Sequence, residues 1–162
     1  MSQSPAPVRE PADPDAAEHE ILELERFLPY RLSVVSNHIS QTIADAYAER
    51  FGISITEWRV LAVLGRYPEL SATGVAERTA MDKVAVSRAV ARLLKTGMIE
   101  REIHDSDRRR SVLRLSAAGY RVYDKVAPMA LDYERRLLAG FTSAERATLA
   151  CLLDRLDEAS KP

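Results

Sequence analysis

The sequence predicts a mainly helical fold with one small β-hairpin, and three observations carry that prediction. Apolar residues recur at helical spacing over most of the chain. Hydroxyl, aspartate and glycine residues stand where such stretches begin and end. Alternation of apolar and polar residues marks two short segments, Met98-Ile99-Glu100-Arg101-Glu102-Ile103 and Ser111-Val112-Leu113-Arg114-Leu115, the pattern of half-buried strands.

Taken in order, residues 1–16 hold Pro5, Pro7, Pro11 and Pro14 and few large apolar side chains, so a disordered tail is expected there. Ordered structure is expected from about Ala17. Ile21, Leu22, Leu24, Phe27 and Leu28 form an apolar cluster, and Pro29 suits the first turn of a helix. Leu32, Val35, Ile39, Ile43, Ala46 and Tyr47 continue at helical spacing until Gly52. Thr56 is the expected cap of a second helix, apolar nearly all round through Trp58, Val60, Leu61, Ala62, Val63 and Leu64 and stopped by Gly65 and Pro68. Ser71 caps a short third helix over 72–78. Thr79-Ala80-Met81-Asp82 is a turn that presents Asp82 as the N-cap of a fourth helix over 83–96, which Gly97 closes. The two alternating segments then form a hairpin around Asp105-Ser106-Asp107. Ser116 caps a fifth helix over 117–139, with a kink expected at Pro128 and an end at Gly140. Thr142-Ser143-Ala144-Glu145 has the capping-box spacing and opens a sixth helix over 143–158, lined by Leu149, Leu152, Leu153 and Leu156. No internal repeat is visible.

A chain of 162 residues is long enough for one sizeable core. Its composition, 46% hydrophobic and 29% charged, is that of an ordinary soluble protein. No apolar run approaches a membrane span, and the N-terminus lacks a basic-then-apolar signal pattern, so a cytoplasmic protein with no membrane partner is expected. Cys151 is the single cysteine, which excludes an intramolecular disulfide. The net charge of −1 hides a segregation. Residues 1–25 carry one basic against seven acidic side chains, whereas residues 82–115 carry nine basic against five acidic. Local potential rather than net charge governs attraction to an anion.

A short helix, a four-residue turn, a longer helix and a hairpin follow the order of a winged helix-turn-helix. The fourth helix has two faces. Val86, Ala89, Val90, Leu93 and Leu94 form an apolar stripe, while Lys83, Val84, Ser87, Arg88 and Ala91 share the other side. In a major groove Arg88 would donate two hydrogen bonds to guanine, Ser87 would bond a base or phosphate, Lys83 would reach a phosphate or guanine, and Val84 would meet thymine methyls. The hairpin tip adds Arg108, Arg109 and Arg110. Three like charges on a loop repel one another and add nothing to a core, but they suit a phosphate-lined groove or a narrow minor groove. Asp107 could pair with Arg109 and hold it extended. Double-stranded DNA is the expected partner; a solvated charged hairpin is the bland alternative.

These same residues carry a resemblance to the MarR family of bacterial transcription regulators. Trp58-Arg59-Val60-Leu61, Val75-Ala76, Val86-Ser87-Arg88-Ala89-Val90, Leu94 through Gly97-Met98-Ile99-Glu100-Arg101, Asp107-Arg108-Arg109 and Leu115-Ser116-Ala117-Ala118-Gly119 match the family pattern, over about residues 20–158. Ser116 stands where the family usually has threonine, and both residues cap a helix. Arg109 occupies the wing-motif position, so among the three arginines it is the one expected in the minor groove. On this reading residues 1–16 are a tail and 17–158 one domain. Within it, 54–116 form the winged helix-turn-helix, and 17–52 and 117–158 form flanking dimerisation helices.

A dimer is also expected from the residues. Leu137, Leu138, Phe141, Leu149, Leu152, Leu153 and Leu156 are natural partners for Ile21, Leu24, Phe27 and Leu28, and exposed they would exceed the patch a soluble monomer tolerates. A two-fold homodimer buries them and presents two reading heads to a pseudo-palindrome with half-sites about 10 bp apart. The resemblance implies a repressor released by a small aromatic acid, a phenolic compound or a related thioester. Tyr30, Ser33, Asn37, His38, Trp58, Arg59, Tyr120 and Tyr123 are the candidates to border that effector. Arg59 would pair with a carboxylate, and Trp58 and the tyrosines would stack on a ring. The bland alternatives are a core tryptophan, an exposed histidine and a structural ion pair for Arg59. Cys151, in an apolar helix with no nearby cationic cluster, reads as a packing residue rather than a redox switch. His19, His38 and His104 are too scattered for a zinc site. No phosphate loop, nucleophile elbow or acid pair suggests an enzyme or a cofactor. The opposing function class is a winged-helix module that binds protein and never touches DNA.

Overall fold

The computed structural model describes residues 21–103 and 111–161. The elements run α1 (Leu28–Phe51), α2 (Ile55–Arg66), α3 (Ala72–Thr79), α4 (Lys83–Lys95), β1 (Ile99–Ile103), β2 (Ser111–Leu115), α5 (Ala117–Leu137) and α6 (Ser143–Ser160). The expected tail over 1–16 and the hairpin tip, with Asp107, Arg108, Arg109 and Arg110, lie outside the described residues. The chain divides into two compact units, residues 1–38 and 39–162.

In the first unit a turn precedes the first helix. Residues 24–26 form a turn, with the Phe27 amide donating to the Glu23 carbonyl (3.0 Å). Leu28 opens α1, which places Pro29 in the first turn, where its missing N–H costs nothing. α1 thus opens where Pro29 fits its first turn, as the sequence predicts.

The core of the second unit is the helix-turn-helix itself. Val60, Leu61 and Leu64 of α2, Val75 of α3, Val86, Val90 and Leu93 of α4, Ile99 of β1, Leu113 of β2 and Val126 of α5 are all buried together. α2 packs on α3, α4, α5 and β2, so it is the hub. Its nearly all-round apolar sequence has that physical cause: neighbours cover it on several sides.

Local chemistry sets most helix ends. Ser71 accepts from the Gly74 amide (3.0 Å), and Asp82 accepts from the Val84 and Ala85 amides (2.9 and 3.0 Å). Ser116 accepts from the Gly119 amide (3.1 Å) and donates to the Gly97 carbonyl (2.6 Å), tying the start of α5 to the entrance of the hairpin. Thr142 and Glu145 form the expected capping box. Two expectations fail. The cap of α2 is Ser54, not Thr56: the Glu57 amide donates to Ser54 Oγ (3.2 Å) and the Ser54 amide to Glu57 Oε2 (2.6 Å). That reciprocal pair satisfies two donors, which a cap at Thr56 could not do. Gly65 lies inside α2 and does not stop it; a Cβ there would stand 2.5 Å from the Tyr123 ring, so the glycine makes room for α5. The helix ends at Arg66 with Tyr67 as its cap.

β1 and β2 pair antiparallel from Ile99↔Leu115 to Ile103↔Ser111. Leu70, between α2 and α3, bridges to Leu113 on the far edge of β2, with the Leu113 amide donating to the Leu70 carbonyl (2.8 Å). The hairpin base is thus stitched to the helix-turn-helix. Pro128 sits within α5. No residue of α6 is buried, and Cys151 is exposed rather than packed. No helix among the described residues is long and apolar enough to cross a membrane.

Candidate nucleic-acid interface

The position of the site follows from the two faces of α4. Val86, Ala89, Val90 and Leu93 are buried and Leu94 is half-buried, as the spacing predicts. Lys83, Val84, Ser87, Arg88 and Ala91 are all exposed, Val84 at 57%. The helix is held from behind by its core stripe and from below by the Asp82 cap, so the polar face is presented on a fixed element. An aliphatic residue this exposed next to Lys83 gains nothing from the core.

Behind Arg88 a cleft of about 280 Å³ opens between α4 and the start of α2, lined by Ser54, Thr56, Glu57, Ala85, Arg88, Ala89 and Arg92. Its floor is an ion pair that sequence reasoning missed. Glu57 is 3% exposed, and its Oε1 lies 3.0 Å from Arg92 Nε. Arg92 Nη2 also donates to the Gly52 carbonyl (3.2 Å). Ser54-x-x-Glu57 could have revealed the acid as half of a capping box; its cationic partner is too distant in sequence to be read. On the wing, Arg114 is held by Glu100 and Glu102 (3.3 and 2.9 Å), so strand acids already occupy that cation.

A second cluster lies where α1, α2 and α5 meet. Trp58 stands between Tyr47 (ring centroids 5.8 Å apart) and Tyr123 (6.0 Å), half-buried against the core rather than within it. Burial pushes the Tyr47 hydroxyl up to about 12, the nearby Arg59 charge acting in the opposite direction. Arg59 Nη2 donates to Ser40 Oγ (3.0 Å), a hydroxyl on α1. Of the expected effector residues, Trp58, Arg59 and Tyr123 gather here. Tyr120, one turn earlier on α5, is 44% exposed and outside the ring stack. Tyr30, Ser33, Asn37 and His38 belong to the first unit, where all four are exposed. Tyr47 and Ser40 were missed; Tyr47 read only as one more apolar position on a helix. Among the described residues no group of His, Cys, Asp and Glu side chains could hold a metal ion.

Comparison with known proteins bears on the same region. A family model described as the MarR family matches residues 51–110, from the end of α1 to the hairpin tip. A MarR/EmrR family transcriptional regulator from Acinetobacter sp. ADP1 is 30% identical, with a TM-score of 0.79 over 85% of this chain and 97% of that one. The HTH-type transcriptional regulator BilQ of Clostridium symbiosum (strain WAL-14163) is 27% identical over 108 residues, 67% of this chain and 75% of BilQ. The PcaV transcriptional regulator from Streptomyces coelicolor, solved in complex with its natural ligand, shares the fold at 22% identity and a TM-score of 0.73, over 88% of this chain and 100% of that chain. These relatives are transcriptional regulators and not enzymes. With the winged helix-turn-helix in place and a relative matched over nearly its whole length, the chain belongs to the MarR family of transcriptional regulators.

Proposed function

We propose that this protein is a cytoplasmic, ligand-responsive repressor that binds a pseudo-palindromic operator as a homodimer. The observation that carries the reading is the exposed Lys83, Val84, Ser87 and Arg88 face of a helix whose opposite stripe is buried. Arg88 reads a guanine through its two donors, Val84 meets a thymine methyl, and Lys83 and Ser87 hold phosphate or a base edge. Arg109, braced by Asp107 and flanked by Arg108 and Arg110, enters the minor groove. The dimer reading is supported by Leu137, Phe141, Leu149, Leu152, Leu153 and Leu156, each 37–48% exposed on the single chain. Residues 17–52 and 117–158 supply the dimerisation segments, and 54–116 the reading head.

The effector is an aromatic acid, a phenol or a related thioester, taken at Trp58, Tyr123 and Arg59. Two tilted rings and a guanidinium suit a planar anion. PcaV, of the same fold, was solved with its natural ligand, which supports ligand binding as something this fold accommodates. Release follows if the ligand prefers a shape in which the two heads no longer match the operator, because a ligand moves an equilibrium only by its differential affinity for the two states.

The test is a fluorescence-anisotropy titration of the chain against DNA from upstream of its own gene and a scrambled control, at two salt concentrations and with a panel of aromatic acids and thioesters. Selective, salt-dependent binding that a panel member reverses is the expected result. Arg88→Ala should cost about 1–3 kcal/mol of discrimination against the wrong base. Arg109→Ala should weaken binding to all sequences and reduce the salt slope by about one. Equal, weak binding to both DNAs would count against a local operator. No binding at low salt would overturn the DNA reading in favour of a protein-interaction module.

A further inference from the structure

The Glu57–Arg92 pair is unusual in where it sits. Other ion pairs among the described residues join two exposed side chains, whereas Glu57 keeps only 4% of its side chain exposed and Arg92 keeps 63%. A buried carboxylate held by one cation is a poor way to gain stability, since desolvation offsets much of the attraction. Its geometry is directional instead. Glu57 Oε2 accepts from the Ser54 amide (2.6 Å) while Oε1 faces Arg92 Nε (3.0 Å), so the acid belongs to the first turn of α2. The same guanidinium donates from Nη2 to the Gly52 carbonyl (3.2 Å), in the connection from α1 to α2. One side chain of α4 is therefore fixed at two points on other elements.

Arg92 lies one turn beyond Arg88 on the same side of α4, and both line the cleft above Glu57. The core stripe of α4 resists lifting of the helix but makes only non-directional contacts. A small rotation about the helix axis can be absorbed by apolar repacking, yet it would swing Arg88 sideways. Two hydrogen-bonding anchors on the Arg88 side oppose that rotation. We propose that Glu57 and Arg92 are positioning residues: they set the rotation of α4, and through it the aim of Arg88 at its base. The inference rests on the reading of α4 as the DNA-reading helix.

The full-length chain is titrated with its selected operator and with scrambled DNA, and the ratio of the two dissociation constants is the readout, alongside Tm. Arg92→Met and Glu57→Gln are each expected to lower the ratio roughly tenfold, within the range a lost bidentate base contact gives, while scrambled DNA binds as before. The double variant should lose no more than either single one, as members of one unit do. Arg92→Lys keeps a charge against Glu57 but loses the planar fork that meets both anchors through Nε and Nη2, so it should recover part of the ratio. Should Glu57→Gln fail to fold, the Arg92→Met and Arg92→Lys pair still decides. A lowered Tm with an unchanged ratio would reduce the pair to a structural role and overturn the proposal. Equal loss on both DNAs with a smaller salt slope would make Arg92 a phosphate contact and overturn it equally. If the wild-type chain shows no selectivity at all, both the DNA reading and this inference fall.

Discussion

α4 and α6 look alike as sequences and differ completely as structures. Each begins with a side-chain cap, Asp82 in one and Thr142 with Glu145 in the other, and each carries an apolar stripe. Yet α4 buries Val86, Ala89, Val90 and Leu93, whereas no residue of α6 is buried. Capping and propensity decide where a helix starts and stops; tertiary contacts decide what it is for. The stripe of α4 is consumed by its own chain, which frees the other face to read a surface. The stripe of α6 is still available, and a helix with an unspent apolar face is the raw material of an interface.

The contrast can be broken most decisively on α6. Replacing Leu152 and Leu153 by aspartate would place charges in any interface that the stripe forms, at a cost of several kcal/mol. Sedimentation velocity should show a dimer converted to a monomer that retains its far-UV circular dichroism. A wild-type chain that is monomeric at every concentration would mean that α6 is merely solvated. Next in size is the core: Leu61→Ala, at a fully buried position of α2, should cost roughly 2–5 kcal/mol in urea denaturation. That loss belongs to the helix-turn-helix and should leave the association of α6 intact in the folded fraction.

Tyr47 sharpens the comparison from the side of the core. Its hydroxyl is pushed up to about 12 by burial. The unfolded chain therefore loses this proton near the ordinary tyrosine value while the folded chain keeps it. Stability from this group is complete below about pH 10 and declines as the pH rises towards 12. Urea midpoints at pH 9 and 11 should diverge less for Tyr47→Phe than for the wild type. The smallest effect is at the α6 cap, where Thr142→Ala should cost about 1 kcal/mol. Hydrogen bonds from the Thr142 backbone and side chain hold the Glu145 carboxyl below the usual carboxylate value. That contribution is present above the ordinary range and is lost as pH falls through the lowered value. Protection factors of the first-turn amides of α6 should fall in acid accordingly, and fall less in Thr142→Ala, which keeps only the backbone hydrogen bond to Glu145.

What was legible in the sequence was what local chemistry determines. Ser71, Asp82, Ser116 and Thr142 cap the helices assigned to them because a cap is satisfied within three residues. The fold class followed from the order of elements, and the two faces of α4 from its period. Thr56 was mistaken for a cap because Ser54 and Thr56 both offer a hydroxyl; the discriminating residue was Glu57, three positions after Ser54. Gly65 was read as a stop because glycine often is one, but its reason lies on α5, in the ring of Tyr123. The Glu57–Arg92 pair and the Tyr47–Trp58–Tyr123 stack were invisible for the same cause. Each joins elements that only the folded chain brings together, and nothing in the spacing of one helix reports on another.

Trp58 is the only tryptophan in the chain, and its indole lies between two tyrosine rings at the junction of three helices. The molecule thus carries a built-in optical gauge. Light absorbed by Tyr47 and Tyr123 passes to one emitter over less than a nanometre. Any event that loosens that junction should alter both the colour and the yield of its glow without a dye or a mutation.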